Sequence, residues 1–363
     1  MRIAIYCQNV LGVGHLIRSL NIARELEKSF EVLVISGGKD ISSIHSTNHN
    51  IINLEPIWFD KDFTQLQCEE EKTVSSCFSE RKKVLETIAQ KKIDCLITEM
   101  FPLGRPDFFE EIEEFINSCK KENPLLKVYG SVRDIVLATP GPRNIKIINN
   151  FYEKIFIHSD PNILKLDHRF KEINKKFVYT GYVTPSFSAS KRIDNLISVS
   201  IGGGAFGYEL LFSVLKIAHE FPNFIFEIFG GPNLPSDQRE KLLQDSQGIK
   251  NVEIFHSIKN LEEQMSRSRL SISMGGYNTS MGLLVSKTFG IIYPYEQNSE
   301  QLTRAIEFKK YGLAEIVTKD QLNSAELIQI INLSLDNKTP QHIDIDINGA
   351  KFTADYIKRE LYE

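Results

Sequence analysis

No apolar run in the sequence approaches the ~18 residues that a membrane-spanning helix needs, so a spanning helix is excluded. Cysteine is scarce as well. The five present, Cys7, Cys68, Cys77, Cys95 and Cys119, are odd in number, lie in the first third and contain no C-x-x-C. Neither a disulfide framework nor a zinc site is therefore indicated, and a reducing cytoplasm fits. Charge of neither sign dominates: 43 Lys and Arg oppose 47 Asp and Glu, a formal net charge of -4. The electrostatic reason for a nucleic-acid partner is therefore missing, although a small acidic ligand can still bind a local site. No basic segment followed by a long apolar stretch opens the sequence, so no signal peptide is expected. Internal repeats, low-complexity tracts and signs of a protein partner are also lacking. The expected location is cytoplasmic, with peripheral contact at the inner face of the membrane left open.

What remains is a globular composition, 42% hydrophobic and 25% charged over 363 residues. At roughly 100–200 residues per domain it predicts two domains. Short β-branched runs alternate with helix-period segments almost from end to end, the pattern of parallel βαβ units and an α/β fold. Strands are predicted at 3–7, 31–35, 95–98, 127–131, 155–158 and 177–180, then at 196–201, 225–229, 252–255, 270–274, 290–293 and 314–317. Helices are predicted at 16–28, 75–91, 106–121 and 143–152, and a closing helix at 350–361. Periodicity lapses between 181 and 195, where a hinge is placed, and again over 337–349. Domains are accordingly expected at 1–183 and 184–348, with 349–363 as a terminal helix.

Three strand–turn–helix junctions carry candidate chemistry. The first holds Gly12, Gly14, His15 and Arg18; a helix N-terminus there attracts anions, and His15 has the ordinary pKa of a general base. The alternative is a capping or packed histidine. The second is Gly202, Gly203 and Gly204, where successive glycines let a phosphate approach backbone amides, or else make a tight structural turn. The third is Gly275, Gly276, Asn278 and Thr279, whose polar side chains either bind phosphate or cap a helix. Glu99, Arg133, Asp134 and the His158-Ser159-Asp160 run end strands on the same predicted edge as His15, as ligand-facing or merely capping groups. Glu296, Glu300, Gln301 and Arg304 follow another strand, with an exposed helix face as the alternative.

The order G-V-G-H, S-V-R-D-I, Y-T-G-Y-V, I-G-G-G-A, S-M-G-G-Y-N-T-S-M and E-Q-L-T-R-A resembles the MurG-like glycosyltransferases of the GT-B fold through nearly the whole chain. The resemblance implies two facing Rossmann-like parallel-sheet domains with an interdomain cleft, the first for the acceptor and the second for a nucleotide-sugar, often UDP-linked. The terminal helix would cross back to the first domain. Transfer would invert the anomeric centre and need no metal or other cofactor, the nucleotide-sugar being a substrate. His15 would be the catalytic base, and Gly202, Gly203 and Gly204 the diphosphate turn. Gly275, Gly276, Asn278 and Thr279 would open the phosphate-binding helix, and Glu300 and Gln301 would meet the donor sugar. Gly12, Gly14, Arg18, Glu99, Arg133 and Asp134 would line the acceptor side. Relatives place a ribose-binding glutamate in a T-x-x-E pattern where this chain has Gly282. A carboxylate restored there is therefore expected to favour UDP over its 2′-deoxy analogue. Two rival readings are a nucleotide-sugar hydrolase like that of pseudaminic acid synthesis, which shares G-x-G-H-x-x-R, and a non-catalytic nucleotide-sugar binding protein.

Overall fold

Strand β1 (Arg2–Cys7) is buried from Ile3 to Cys7, as a parallel strand covered on both faces must be. Its side chains alternate between two cores. Ile3, Ile5 and Cys7 pack with Leu16, Leu20 and Ala23 of helix α1 (Gly14–Leu26). Around β1 the computed structural model assembles β2 (Glu31–Ser36), β3 (Ile51–Asn53), a small antiparallel pair β4 (Trp58–Phe59) and β5 (Leu66–Gln67), and helix α2 (Val74–Ala89). There follow β6 (Cys95–Glu99), α3 (Phe109–Glu122), β7 (Lys127–Arg133), α4 (Pro142–Phe151), β8 (Tyr152–His158) and β9 (Phe177–Tyr179). Ala4 and Tyr6 face α2 and α3, packing among Cys77, Leu85, Ile112 and Phe115. The described residues are 1–10, 13–39, 49–60, 64–185, 187–203, 206–256, 258, 260–336 and 344–363. They divide into two units, Met1–Val183 with Ile345–Glu363, and Thr184–Asp344.

The first unit is a parallel sheet of seven strands in the order β3-β2-β1-β6-β7-β8-β9. Strand order reverses between β1 and β6, and the carboxyl ends of strands beside such a reversal leave a crevice for ligands. The second unit repeats the plan with β10 (Ile193–Ser200), α5 (Tyr208–Ile217), β11 (Ile225–Phe229), α6 (Ser236–Asp245), β12 (Val252–Phe255) and α7 (Leu261–Arg267). It continues through β13 (Ser268–Met274), α8 (Tyr277–Ser286), β14 (Gly290–Tyr293), α9 (Ser299–Lys310), β15 (Ala314–Ile316) and α10 (Ser324–Asp336). Its six parallel strands run β12-β11-β10-β13-β14-β15, the doubly wound dinucleotide-binding order, with the reversal between β10 and β13.

The twelve strands read from β-branched runs all appear, within a few residues of the expected ends. β3, β4 and β5 were not expected, being two or three residues long and too short to show a period. α1 begins at Gly14 rather than 16, which puts His15 inside the first helical turn.

The chain returns to the first unit at Ile345, four residues before the closing helix α11 (Gly349–Tyr362). There Tyr182 N–H donates to Asp346 O (2.7 Å), Gly349 N–H donates to Tyr182 O (3.0 Å), and Val183 bridges Asn348. The crossing requires glycine on one side of it: a Cβ at Gly349 would stand 2.4 Å from Gly181 O and 2.9 Å from Tyr182 C. Both obstacles are backbone, so neither can rotate away. Gly349→Ala is expected to lower stability by about 1–3 kcal/mol and to raise amide hydrogen exchange along 349–362. Urea denaturation with exchange measurements checks it; an unchanged midpoint would show that the crossing relaxes freely.

Candidate active site

The first turn of α1 and the end of β6 meet at the strand-order reversal of the first unit. His15 Nδ1 lies 2.6 Å from Glu99 Oε1, and Arg18 Nη2 donates to the same oxygen. Arg105 Nη2 is 3.5 Å from Glu99 Oε2, while its Nε donates to Gln8 O at 2.7 Å. Glu99 and Arg18 are buried, and the His15 side chain is 12% exposed. Burial, with positive charge on Arg105 and Arg133, pulls His15 down to about 3 against the opposing pull of Glu99. Burial alone would raise the Glu99 carboxyl, but His15, Arg18 and Arg105 hold it well below the usual carboxylate range. The consequence is an ionised Glu99 accepting the Nδ1 proton of a neutral imidazole, with Nε2 left as the basic lone pair. The N-terminal end of α1, which disfavours added positive charge, acts in the same direction.

His158 sits nearby but serves differently. Its Nε2 bonds Ser131 Oγ (2.8 Å) and its Nδ1 bonds Thr180 Oγ1 (2.9 Å), all three side chains being buried. Both ring nitrogens are used, so it ties β7, β8 and the chain after β9 together. Burial pulls it down to about 3 as well.

In the second unit three loops converge at the reversal between β10 and β13. Gly202 (φ 71°) donates its N–H to Ser200 Oγ at 2.9 Å, and a Cβ on it would lie 3.1 Å from Thr279 Oγ1. Gly231 (φ 78°), after β11, comes so near that a Cβ there would be 2.3 Å from Gly202 O. Asn233 Nδ2 donates to Gly203 O at 2.6 Å. Helix α8 starts at Tyr277 behind Gly276, a cap residue with no side chain to cover the first-turn amides. A nest of backbone amides beside a helix N-terminus suits a phosphate. Arg304 is buried rather than on an exposed face: its Nη1 donates to Gly275 O at 2.9 Å and its guanidinium lies over the Tyr277 ring.

The structure thus brings His15, Arg18 and Glu99 together in one unit, with Arg133 acting electrostatically on His15 and Gly14 next to it in α1. It brings Gly202, Gly203 and Thr279 together in the other, with Gly275, Gly276 and Asn278 on the same turn. Asp134 is buried after β7. Gly12 and Gly204 lie outside the described residues. Gln301 backs Gly275 with its Cβ and main chain, and its Oε1 accepts from Tyr295 N at 3.0 Å, while Glu300 is buried in the first turn of α9. Gly282 corrects an expectation: a Cβ there would meet Met265 Sδ at 2.8 Å and Glu262 Cβ at 3.8 Å, so the position faces α7. A glutamate at 282 would push on Met265, which is fully buried, instead of simply adding a ribose contact. Arg105 and Gly231 were missed. The Gly230-Gly231 pair after β11 was a usable signal; Arg105, in an irregular loop, had none.

Among the described residues no group of three or more His, Cys, Asp and Glu is placed to hold a metal ion, and no helix is long and apolar enough to cross a membrane. Residues 199–359 match the glycosyltransferase family 28 C-terminal domain. A UDP-N-acetylglucosamine--N-acetylmuramyl-(pentapeptide) pyrophosphoryl-undecaprenol N-acetylglucosamine transferase from Thermosipho africanus is 23% identical over 335 residues, 88% of this chain and 89% of the relative. Among solved structures, the calicheamicin glycosyltransferase CalG4 is similar at a TM-score of 0.66 and 12% identity, covering 100% of this chain and 99% of its own. Acinetobacter baumannii MurG is similar at 0.59 and 14%, covering 99% and 100%. The spinosyn rhamnosyltransferase SpnG complexed with thymidine diphosphate is similar at 0.61 and 14%, covering 100% and 96%. Two doubly wound sheets in one chain, matched end to end by these structures, define the GT-B fold. With the family 28 C-terminal domain and the full-length relative, the chain is a glycosyltransferase, similar in fold to MurG from end to end.

Two buried neutral histidines have a measurable cost in acid. Unfolded histidine takes up a proton near pH 6.5, whereas His15 and His158 resist it until about 3. Their folded pKa values are lowered, so stability is fully present above the unfolded pKa and is lost as pH falls from about 6.5 toward 3. The slope approaches ~1.4 kcal/mol per pH unit for each histidine. Thermal melts at pH 7 and 5 should show a smaller acid loss for His158→Asn than for the wild type. Equal losses would mean that His158 is not neutral in the folded state.

Proposed function

We propose that the protein moves a sugar from a UDP-linked donor to an acceptor hydroxyl, with inversion and without a metal. The observation that carries the reading is the His15–Glu99 pair at 2.6 Å, in which Glu99 accepts from Nδ1 and so directs Nε2 away from the carboxylate. His15 Nε2 takes the proton of the acceptor hydroxyl as its oxygen attacks the anomeric carbon, and the bond to the donor diphosphate breaks in the same displacement. One displacement inverts the centre. Charge growing on the departing diphosphate is met at the Gly202-Gly203 turn and by the N-terminal end of α8, fixed dipoles that need no reorganisation. The donor assignment is supported by the relatives: the Thermosipho africanus protein is named for a UDP-sugar, and SpnG was solved with a nucleoside diphosphate.

Incubation with a panel of nucleotide-sugars, with and without candidate acceptors, tests the reading. Acceptor-dependent release of nucleoside diphosphate is expected; release of free sugar without acceptor would instead mean hydrolysis, and binding alone would mean a non-catalytic protein. His15→Ala should lower turnover by roughly 10²–10⁴-fold while leaving affinity for UDP within a few-fold, as loss of a general base does. Near-wild-type turnover by that variant would remove His15 from the mechanism.

A further inference from the structure

We propose that Arg105 is a positioning residue for transfer, holding the Glu99 carboxylate from the side opposite Arg18 so that Glu99 orients His15 without drawing a second proton onto the ring. The inference rests on the reading of His15 as the base, and it adds a residue that keeps the His15 ring unprotonated. The two Glu99 oxygens are divided: Oε1 faces His15 and Arg18, and Oε2 faces Arg105 at 3.5 Å. Arg105 is itself fixed, since its Nε donates to Gln8 O at the end of β1 and its side chain is only 11% exposed. Its backbone is left-handed (φ 63°, ψ 47°) immediately before Pro106. A long side chain seldom takes that conformation, and surrounding structure must impose it. Here it sends the guanidinium back from the loop after β6 onto the carboxylate at the end of the same strand.

The chemistry follows from counting charge at the site. A carboxylate alone beside a histidine favours the imidazolium, because opposite charges attract. Glu99 is not alone. Arg18 approaches from α1, Arg105 from the loop after β6, and Arg133 acts on His15 from the end of β7. Cys7 on β1 and His158 on β8 also feel the charge of Glu99, the first held as a thiol by burial and the second as a neutral ring. The carboxylate's charge is therefore taken up by the guanidinium groups, and what reaches His15 is mainly its hydrogen-bonding direction. Without Arg105, Oε2 loses its cation, and the negative charge of Glu99 acts on His15 less opposed.

Histidine-selective NMR titration of the full chain tests this without a known donor or acceptor, the His15 signal being assigned by its loss in His15→Gln. In the wild type the His15 ring is expected not to titrate between pH 5 and 8. In Arg105→Gln its midpoint should rise by about two pH units or more, into that window, and Arg105→Lys should bring it most of the way back. The His158 signal, unmoved in both variants, reports that the unit is folded. An Arg105→Gln protein with His158 unmoved and His15 still silent would overturn the proposal, as would a Lys variant that behaves like Gln. If Arg105→Gln does not fold, the Lys variant alone decides: a His15 midpoint raised as far as about 6.5, the ordinary histidine value, would mean that charge at 105 does not control the ring. Where turnover can be measured, Arg105→Gln should add an acid limb to kcat/KM that the wild type lacks above pH 5. Failure of His15→Ala to slow transfer would overturn the catalytic reading and leave the NMR result standing by itself.

Discussion

A carboxylate with no exposed surface has to be neutralised by groups within a few ångströms, and Glu99 recruits them from several elements. α1 must start at Gly14 for His15 and Arg18, one helical turn apart, to reach the same oxygen. The loop after β6 must turn left-handed for Arg105 to reach the other. β1 must end where Gln8 O can hold Arg105. Leaving any one of them out would strand charge in the interior, and an unpaired buried ion costs far more than a surface ion pair returns. The geometry around His15 and the local fold are thus one electrostatic solution.

A second buried arrangement shows the same economy. Arg81, fully buried on α2, donates to Glu111, Tyr6 Oη, Gln8 Oε1 and the carbonyls of Gly37 and Glu55. Gln8 therefore belongs to both networks, through its side chain to Arg81 and through its carbonyl to Arg105. In the second unit the constraint is space rather than charge. Gly202 and Gly231 approach as closely as backbone allows, and Ser200, Asn233 and Thr279 supply short polar contacts or walls around the turn.

How much of this was legible depended on the kind of signal. Buried parallel strands such as 3–7 and 270–274 carry their own pattern, because both faces must be apolar or small, and the alternation of strand and helix disclosed parallel βαβ units in both halves. Junction residues were legible where glycine and histidine stood directly between a strand and a helix, as at His15 and Gly202. β3, at the sheet edge and three residues long, gave no period to read. Arg105 was silent because its importance comes from a backbone conformation and a through-space pairing, neither of which leaves a local motif. Gly282 misled for the opposite reason: a motif position was read as facing a ligand, whereas helix packing turns it toward Met265.

Residues 345–363 complete the first unit, although the second unit is synthesised before them. The inner face of α1, with Leu16, Leu20 and Ala23, shares its core with Ala354 and Ile357 of α11. On the ribosome, that core therefore waits for more than 160 residues of intervening chain, an independent sheet with its own core, to emerge first. The order of completion is the reverse of the order of synthesis: the unit begun first is closed last, by the final helix. A chain cut short before Ala354 would present a finished second sheet and a first one with an open apolar seam, the kind of surface that chaperones and proteases bind.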